Sequence, residues 1–184
     1  MTAPGLETLV LAGGCFWCIE APLKELRGVQ AIEPGYAGGQ TPNPTYEQIC
    51  TGRTGHAEVV RVTFDPAELS SADLLRIFFV MHDPTTLNRQ GNDVGTQYRS
   101  AIFWQDAEQE KTAYAIRDEI AAAGVWPNPV VTEIVKLDHF WPAEDYHRDY
   151  FARNPGNPYC SAVIPPKIAK MRRLFRDRLV DTAG

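Results

Sequence analysis

The order of segments along this chain predicts an α+β fold in which helices pack on a mixed sheet, and three observations carry that prediction. Runs with period-2 and period-3.6 apolar spacing follow one another without the strict strand-helix alternation of a wound parallel sheet. Proline and glycine, 14 of each, gather between those runs as punctuation. At 184 residues and 44% apolar content the chain is long enough to bury one sizeable core, and neither a fixed-period repeat nor a low-complexity tract divides it. One domain covering residues 1–184 is expected.

Taken in order, Leu9–Leu11 reads as a short strand running into Gly13-Gly14. Ile19, Leu23 and Leu26 then fall at helical spacing, and Gly28 can close that helix. Val29–Tyr36 is a second strand, followed by a long Gly-, Pro- and Thr-rich loop from Ala37 to about His56, a length that suggests function. Ala57–Phe64 alternates: Val60, Val62 and Phe64 share one face with Glu58, while Val59, Arg61 and Thr63 take the other. Ser70 and Asp73 resemble a helix start ahead of Leu74–Met81, and Asp83-Pro84 stops it. A second long loop, Thr85–Tyr98, leads into strand Ser100–Trp104. Asp106 caps a helix to about Ala123, Gly124 ends it, and Val130–Leu137 is another β-rich run. Pro142 suits the first turn of a helix reaching Arg153, the segment 154–166 is expected to be an irregular tail, and a last helix covers about 167–180. The expected architecture is a two-layer α/β sandwich, a ferredoxin-like roll with a mixed sheet and long irregular loops.

A formal charge of −5, with Lys and Arg spread along the chain, gives no electrostatic footprint for nucleic acid, and the basic stretch Lys167–Arg178 is interleaved like a solvated helix face. No apolar run approaches membrane-spanning length, and Met1–Glu7 lacks the charged and apolar regions of a secretory leader. The expectation is a cytoplasmic monomer whose four cysteines, Cys15, Cys18, Cys50 and Cys160, are reduced at rest.

Gly14-Cys15-Phe16-Trp17-Cys18 is the most informative segment, because it puts a thiol where a strand turns into a helix. Unpaired N–H groups and the helix dipole at such a start favour thiolate, the reactive form, so Cys15 is a candidate nucleophile. The bland alternative is a buried small hydrophobe. Cys18 adds C-x-x-C spacing, which can close a disulfide or supply half of a zinc site; with Cys50 and His56 nearby, a zinc-stabilised binding module and a general disulfide exchanger both stay open. Glu58, a carboxylate on a core face, would have a raised pKa and could act as a general acid, although a solvated or arginine-paired glutamate fits the alternation equally well. Tyr46 and Tyr98 could donate to a bound oxygen or simply pack. His82, His139 and His147 read as structural or surface residues.

Beyond single residues, the chain resembles the A-type peptide methionine sulfoxide reductases in a series of motifs spread over most of its length. These are Gly14-Cys15-Phe16-Trp17, Gly35-Tyr36-Ala37-Gly38-Gly39, Asn43-Pro44-Thr45-Tyr46, Gly55-His56-Ala57-Glu58 and the run from Gly91 to Ser100. The resemblance implies reduction of the S epimer of methionine sulfoxide, free or in proteins, with thioredoxin as electron donor and no metal or organic cofactor. It implies Cys15 as nucleophile, Glu58 as the acid, Tyr46 and Tyr98 as its hydrogen-bonding partners, Phe16 and Trp17 as an apolar wall for the substrate methyl, and Asp93 as a polar support. Cys18 stands where many members have glycine. Cys160, in the expected flexible tail, is the favoured resolving thiol, Cys18 is the alternative, a relay through both is open, and Cys50 looks structural.

Overall fold

In the computed structural model, residues 5–180 are described; residues 1–4, within the Met1–Glu7 stretch expected not to be a secretory leader, and 181–184, at the end of the expected domain, lie outside the described residues. Strands β1 (Glu7–Gly13), β2 (Val29–Ala37) and β3 (Ala57–Phe64) enclose helices α1 (Phe16–Leu23) and α2 (Tyr46–Cys50) in chain order. Helix α3 (Ser71–Met81), a small hairpin of β4 (Arg89–Gln90) with β5 (Asp93–Val94), and β6 (Ser100–Trp104) follow. The remainder is α4 (Ala107–Ala122), β7 (Glu133–Lys136), β8 (Trp141–Pro142), α5 (Tyr150–Arg153) and α6 (Pro158–Leu174). Six strands form one sheet in the order β7-β6-β1-β3-β2-β8; every pairing is antiparallel except β6 with β7, which makes the sheet mixed.

Alternation along the central strands sorts side chains onto two apolar faces. Leu9, Leu11, Val60, Val62, Phe64 and Ile102 meet the buried residues of α1, α3 and α4, with Met171 of α6. Val10, Ala12, Val59, Ala101 and Phe103 form a smaller cluster on the opposite face. The helices start where side-chain oxygens can accept otherwise unpaired backbone N–H groups: Ser70 accepts from Asp73 N, and Asp106 from Gln109 N at 2.9 Å.

Several expected segments differ. The loop 37–56 contains α2, because Thr45 and Gln48 cap each other reciprocally. The helix expected from Pro142 to Arg153 is broken into pieces: Trp141-Pro142 pairs with Tyr36 and Gly35 as an edge strand, and Asp149, at φ 53°, interrupts the chain between a turn of 3-10 helix at 145–147 and α5. The expected irregular tail 154–166 is helical from Pro158, and the last helix ends at Leu174 instead of Val180. Asn157 starts α6 by accepting the Cys160 N–H at 3.1 Å. Pro165 and Pro166 lie inside it on the solvent side, and the carbonyls their missing N–H groups leave free belong to exposed Ser161 and Ala162, within reach of water.

Candidate active site

The site begins at the turn from β1 to α1. Gly14 has φ +100°, and a Cβ there would lie 2.6 Å from Gln90 Cγ, so glycine serves both the left-handed turn and the close approach of the β4-β5 hairpin. Cys15 is the residue immediately before α1, and Cys18 lies one turn on, with its N–H on the Cys15 carbonyl at 3.0 Å. Both thiols are reduced and buried, and both line a cavity of about 400 Å³ walled also by Gln90, Asp93, Tyr159 and Lys167.

The expectation that a helix start would favour the Cys15 thiolate meets a stronger opposing effect. Burial pushes the Cys15 thiol well above its usual range, with the Cys18 hydrogen bond and the Glu58 and Cys18 charges adding to it, against a smaller opposing pull from the Trp17 backbone N–H. A helix terminus is worth about 0.3–1 kcal/mol to an anion, up to ~2 in partly buried sites. Desolvating an ion costs several kcal/mol, and burial prevails. Cys18 moves the opposite way: the neighbouring Cys15 side chain lowers it most, burial opposes, and the Tyr159 hydroxyl and then the Lys167 charge help.

Glu58 comes up beneath α1 from β3, where its place in the alternation points it to the helix-covered face. One carboxyl oxygen accepts the Phe16 N–H at 3.1 Å, and the other is buried without a partner. Burial is the main cause of a pKa pushed up to about 8, with the Asp93 and Cys18 charges adding and the Phe16 bond opposing. The group is therefore a neutral acid at pH 7, and its unpartnered oxygen has a proton to give.

Tyr46 opens α2 and Tyr98 ends a 3-10 turn at 96–98; both are half-buried, and burial, with the Glu58 charge second, raises both phenols. Phe16 is fully buried and Trp17 only partly, so of the expected apolar wall Trp17 keeps open surface. Tyr46 lies 6.4 Å from Phe16 and 6.1 Å from Trp17, ring centre to ring centre. Asp93 accepts the Tyr159 hydroxyl, which also lies 3.6 Å from Cys18 Sγ. Cys160 is fully buried in the first turn of α6, in one apolar cluster with Cys15, Cys18 and Ile164, and burial pushes its thiol up to about 11. Of the expected site residues, Cys15, Cys18 and Asp93 line one cavity, Glu58 bonds Phe16 N beside them, and Tyr98 and Cys160 pack in one cluster with the two thiols.

Four contributors escaped the sequence reading. Trp17 Nε1 donates to His147 Nδ1 at 3.1 Å, which fixes the indole and makes the ring a neutral tautomer protonated on Nε2. Tyr150 stacks on Trp17 at 3.9 Å and 9°. Glu144 accepts the Tyr36 hydroxyl with one oxygen and the Tyr46 N–H with the other, each at 3.0 Å, tying β2 to the start of α2. Tyr159 is the fourth, and the i, i+3 spacing of Glu144 and His147 was the available signal for that pair. The zinc alternative loses its donors: His56 uses both ring nitrogens within its loop, on Gly39 N and Thr41 O, and Cys50 is exposed. Among the described residues no three His, Cys, Asp or Glu side chains are grouped to hold a metal ion.

A family model described as peptide methionine sulfoxide reductase matches residues 7–179. The peptide methionine sulfoxide reductase MsrA of Granulibacter bethesdensis is 58% identical over 174 residues, covering 95% of this chain and 94% of that one. Among solved structures, Mxr1 from Saccharomyces cerevisiae in reduced form superposes with a TM-score of 0.79 at 35% identity, covering 84% of this chain and 90% of that one. Mxr1 in complex with Trx2 gives 0.59 at 26% identity, over 80% and 88%.

Proposed function

This chain belongs to the peptide methionine sulfoxide reductase family, and from that premise we propose that Cys15 attacks the sulfur of methionine-S-sulfoxide while Glu58 protonates its oxygen. The chain is an oxidoreductase that reduces methionine sulfoxide by thiol chemistry, with thioredoxin as the reductant. The observation that carries the assignment of roles is the neutral, buried Glu58 with one oxygen free, set beside the buried thiol of Cys15. Sulfoxide oxygen is a poor leaving group, so thiolate attack on sulfur requires a proton at that oxygen; collapse releases methionine and leaves Cys15 as sulfenic acid. Tyr46 and Tyr98 donate to the same oxygen, Trp17 and Phe16 receive the methyl, and Asp93, through Tyr159, supports the polar side.

We assign closure of the first disulfide to Cys18, with Cys160 second in a relay. Cys18 lies one turn from Cys15 and lines the same cavity, whereas Cys160 is held by the first turn of α6, which replaces the irregular tail that favoured it. Thioredoxin then reduces the outgoing disulfide by exchange. For the scaffold, we read residues 1–184 as one domain and the order β6-β1-β3-β2, with α1 and α3 as crossovers, as a ferredoxin-like roll. No helix is long and apolar enough to cross a membrane among the described residues, and we place the protein in the cytoplasm.

The test is consumption of the separated S and R epimers of methionine sulfoxide with a dithiol reductant. Loss of the S epimer alone is expected; loss of neither, with disulfides reduced instead, returns the chain to the general exchanger.

A further inference from the structure

The β4-β5 hairpin walls the cavity that holds both thiols, yet each of its strands is two residues long. A hairpin of that size is not stable by its own pairing, so side chains must hold it to the site. Arg89 and Val94 are exposed, while Gln90 and Asp93 line the cavity. Asp93 accepts the Tyr159 hydroxyl from α6. Gln90 reaches the other way. Its amide oxygen accepts the Asp83 N–H and its amide nitrogen donates to the Asp83 carbonyl, both at 2.9 Å. Asp83 lies just past the end of α3 and is itself tied down on both sides: the His82 ring bridges the Phe78 carbonyl and Ser100 Oγ, and Pro84 accepts the Val131 N–H at 2.8 Å. The Gln90 stem packs on Gly14, its Cγ and Cβ 2.6 and 2.8 Å from where a Gly14 Cβ would stand. One side chain thus joins the hairpin, the end of α3 and the residue before the nucleophile.

Resting on the reading of the site above, we propose that Gln90 is a positioning residue for sulfoxide reduction: its amide holds the hairpin, and with it Asp93, closed against the turn that presents Cys15. Glu58 is fixed by Phe16 N and Cys15 by the start of α1, so neither reacting group is held by the hairpin. What the hairpin supplies is the cavity wall and the support from Asp93. Releasing the amide therefore weakens substrate binding and uncovers thiol residues that are now 8% and 4% exposed. An amide suits the position because Asp83 offers it one donor and one acceptor. A carboxylate accepts the N–H but has no proton for the carbonyl, whereas a carboxylic acid, with one O–H and one C=O, satisfies both again.

Gln90→Ala and Gln90→Glu, each checked for native circular dichroism, are compared with the wild type in two readouts. The first is the rate at which a pyridyl disulfide labels Cys15 and Cys18, relative to the wild type at the same pH; it requires no sulfoxide. Loss of both hydrogen bonds should speed labelling of Gln90→Ala about tenfold at every pH. Gln90→Glu should match it at pH 8 and return toward the wild type as pH falls to about 4–5, where a glutamate takes up its proton. The second readout is methionine released in the first turnover. For Gln90→Ala the half-saturating sulfoxide concentration should rise about tenfold while the limiting rate stays within about threefold, the pattern of lost binding and not of lost chemistry. Wild-type labelling and half-saturation in Gln90→Ala overturn the proposal, as does a limiting rate that falls with half-saturation unchanged. If Gln90→Ala does not fold, Gln90→Glu decides: no return toward the wild type at low pH overturns the anchor. A wild-type chain releasing no methionine would instead overturn the function on which the proposal rests, and the labelling would still report on Gln90.

Discussion

Glu58 holds the backbone N–H of Phe16 at 3.1 Å, so the acid on β3 is fixed to the residue next to the nucleophile on α1. Strand and helix are thereby joined through the reacting groups themselves, and the acid cannot drift from Cys15 without breaking a buried hydrogen bond.

Cys15→Ser should abolish sulfoxide reduction while leaving the fold intact, since an alcohol supplies no anion at neutral pH. Loss of a nucleophile typically costs orders of magnitude, so residual turnover should stay below about a percent, and methionine release measured by chromatography checks it.

Glu58→Gln should lower the rate about 10²–10⁴-fold, because the amide keeps the contact to Phe16 but delivers no proton. In the wild type the acid must be protonated, so the rate should fall as pH rises through about 8. The stability consequence has the same sign. The folded pKa lies above the ordinary glutamate value of 4.5, so folding binds a proton between 4.5 and about 8, and the wild type loses stability across that window. Melting temperatures of the two proteins should diverge in favour of the amide toward pH 9; parallel curves would show that Glu58 titrates normally.

Cys160→Ser should release its first methionine at the wild-type rate and then slow in continuous turnover with thioredoxin, since nucleophile, acid and Cys18 are untouched. Mass mapping of disulfides after one turnover should find Cys15-Cys18 in this variant. A trapped sulfenic acid instead would make Cys160 the direct resolving thiol.

Glu144→Ala should cost about 2–4 kcal/mol, as it removes two hydrogen bonds to a carboxylate. For a chain of this size that is roughly 4–16 °C in Tm. Because Tyr46 is one of the two groups released, KM for the sulfoxide should rise as well, and an unchanged KM would separate the clamp from the site.

Much of the fold could be read from local chemistry: the Ser70 and Asp106 caps fixed where α3 and α4 begin, and alternation in β3 put Glu58 on the buried face. Helix α6 could not be read that way, because Pro165 and Pro166 signal a break that its solvent-side position tolerates; the apolar spacing of Cys160, Ile164, Ile168 and Met171 carried the opposite message. The motif residues of the site were legible as a set. His147 and Glu144 were not, because their roles depend on partners more than ninety residues away in sequence, Trp17 for one and Tyr36 and Tyr46 for the other. Helix position, visible in sequence, favours the Cys15 thiolate, whereas the depth of burial that raises its pKa is not visible there.

The stack of Trp17 on Tyr150 makes the site observable by light. Asn157 donates a hydrogen bond from its side-chain amide to the Tyr150 hydroxyl at 3.2 Å, and its carbonyl oxygen accepts the Cys160 N–H. Any movement of Cys160 toward the sulfurs of α1 therefore pulls on Asn157 and, through it, on the phenol lying 3.9 Å from the indole. Indole emission responds to such overlap, so a change in the Trp17 share of the intrinsic fluorescence, isolated by comparison with Trp17→Phe, is the expected signature of the proposed relay.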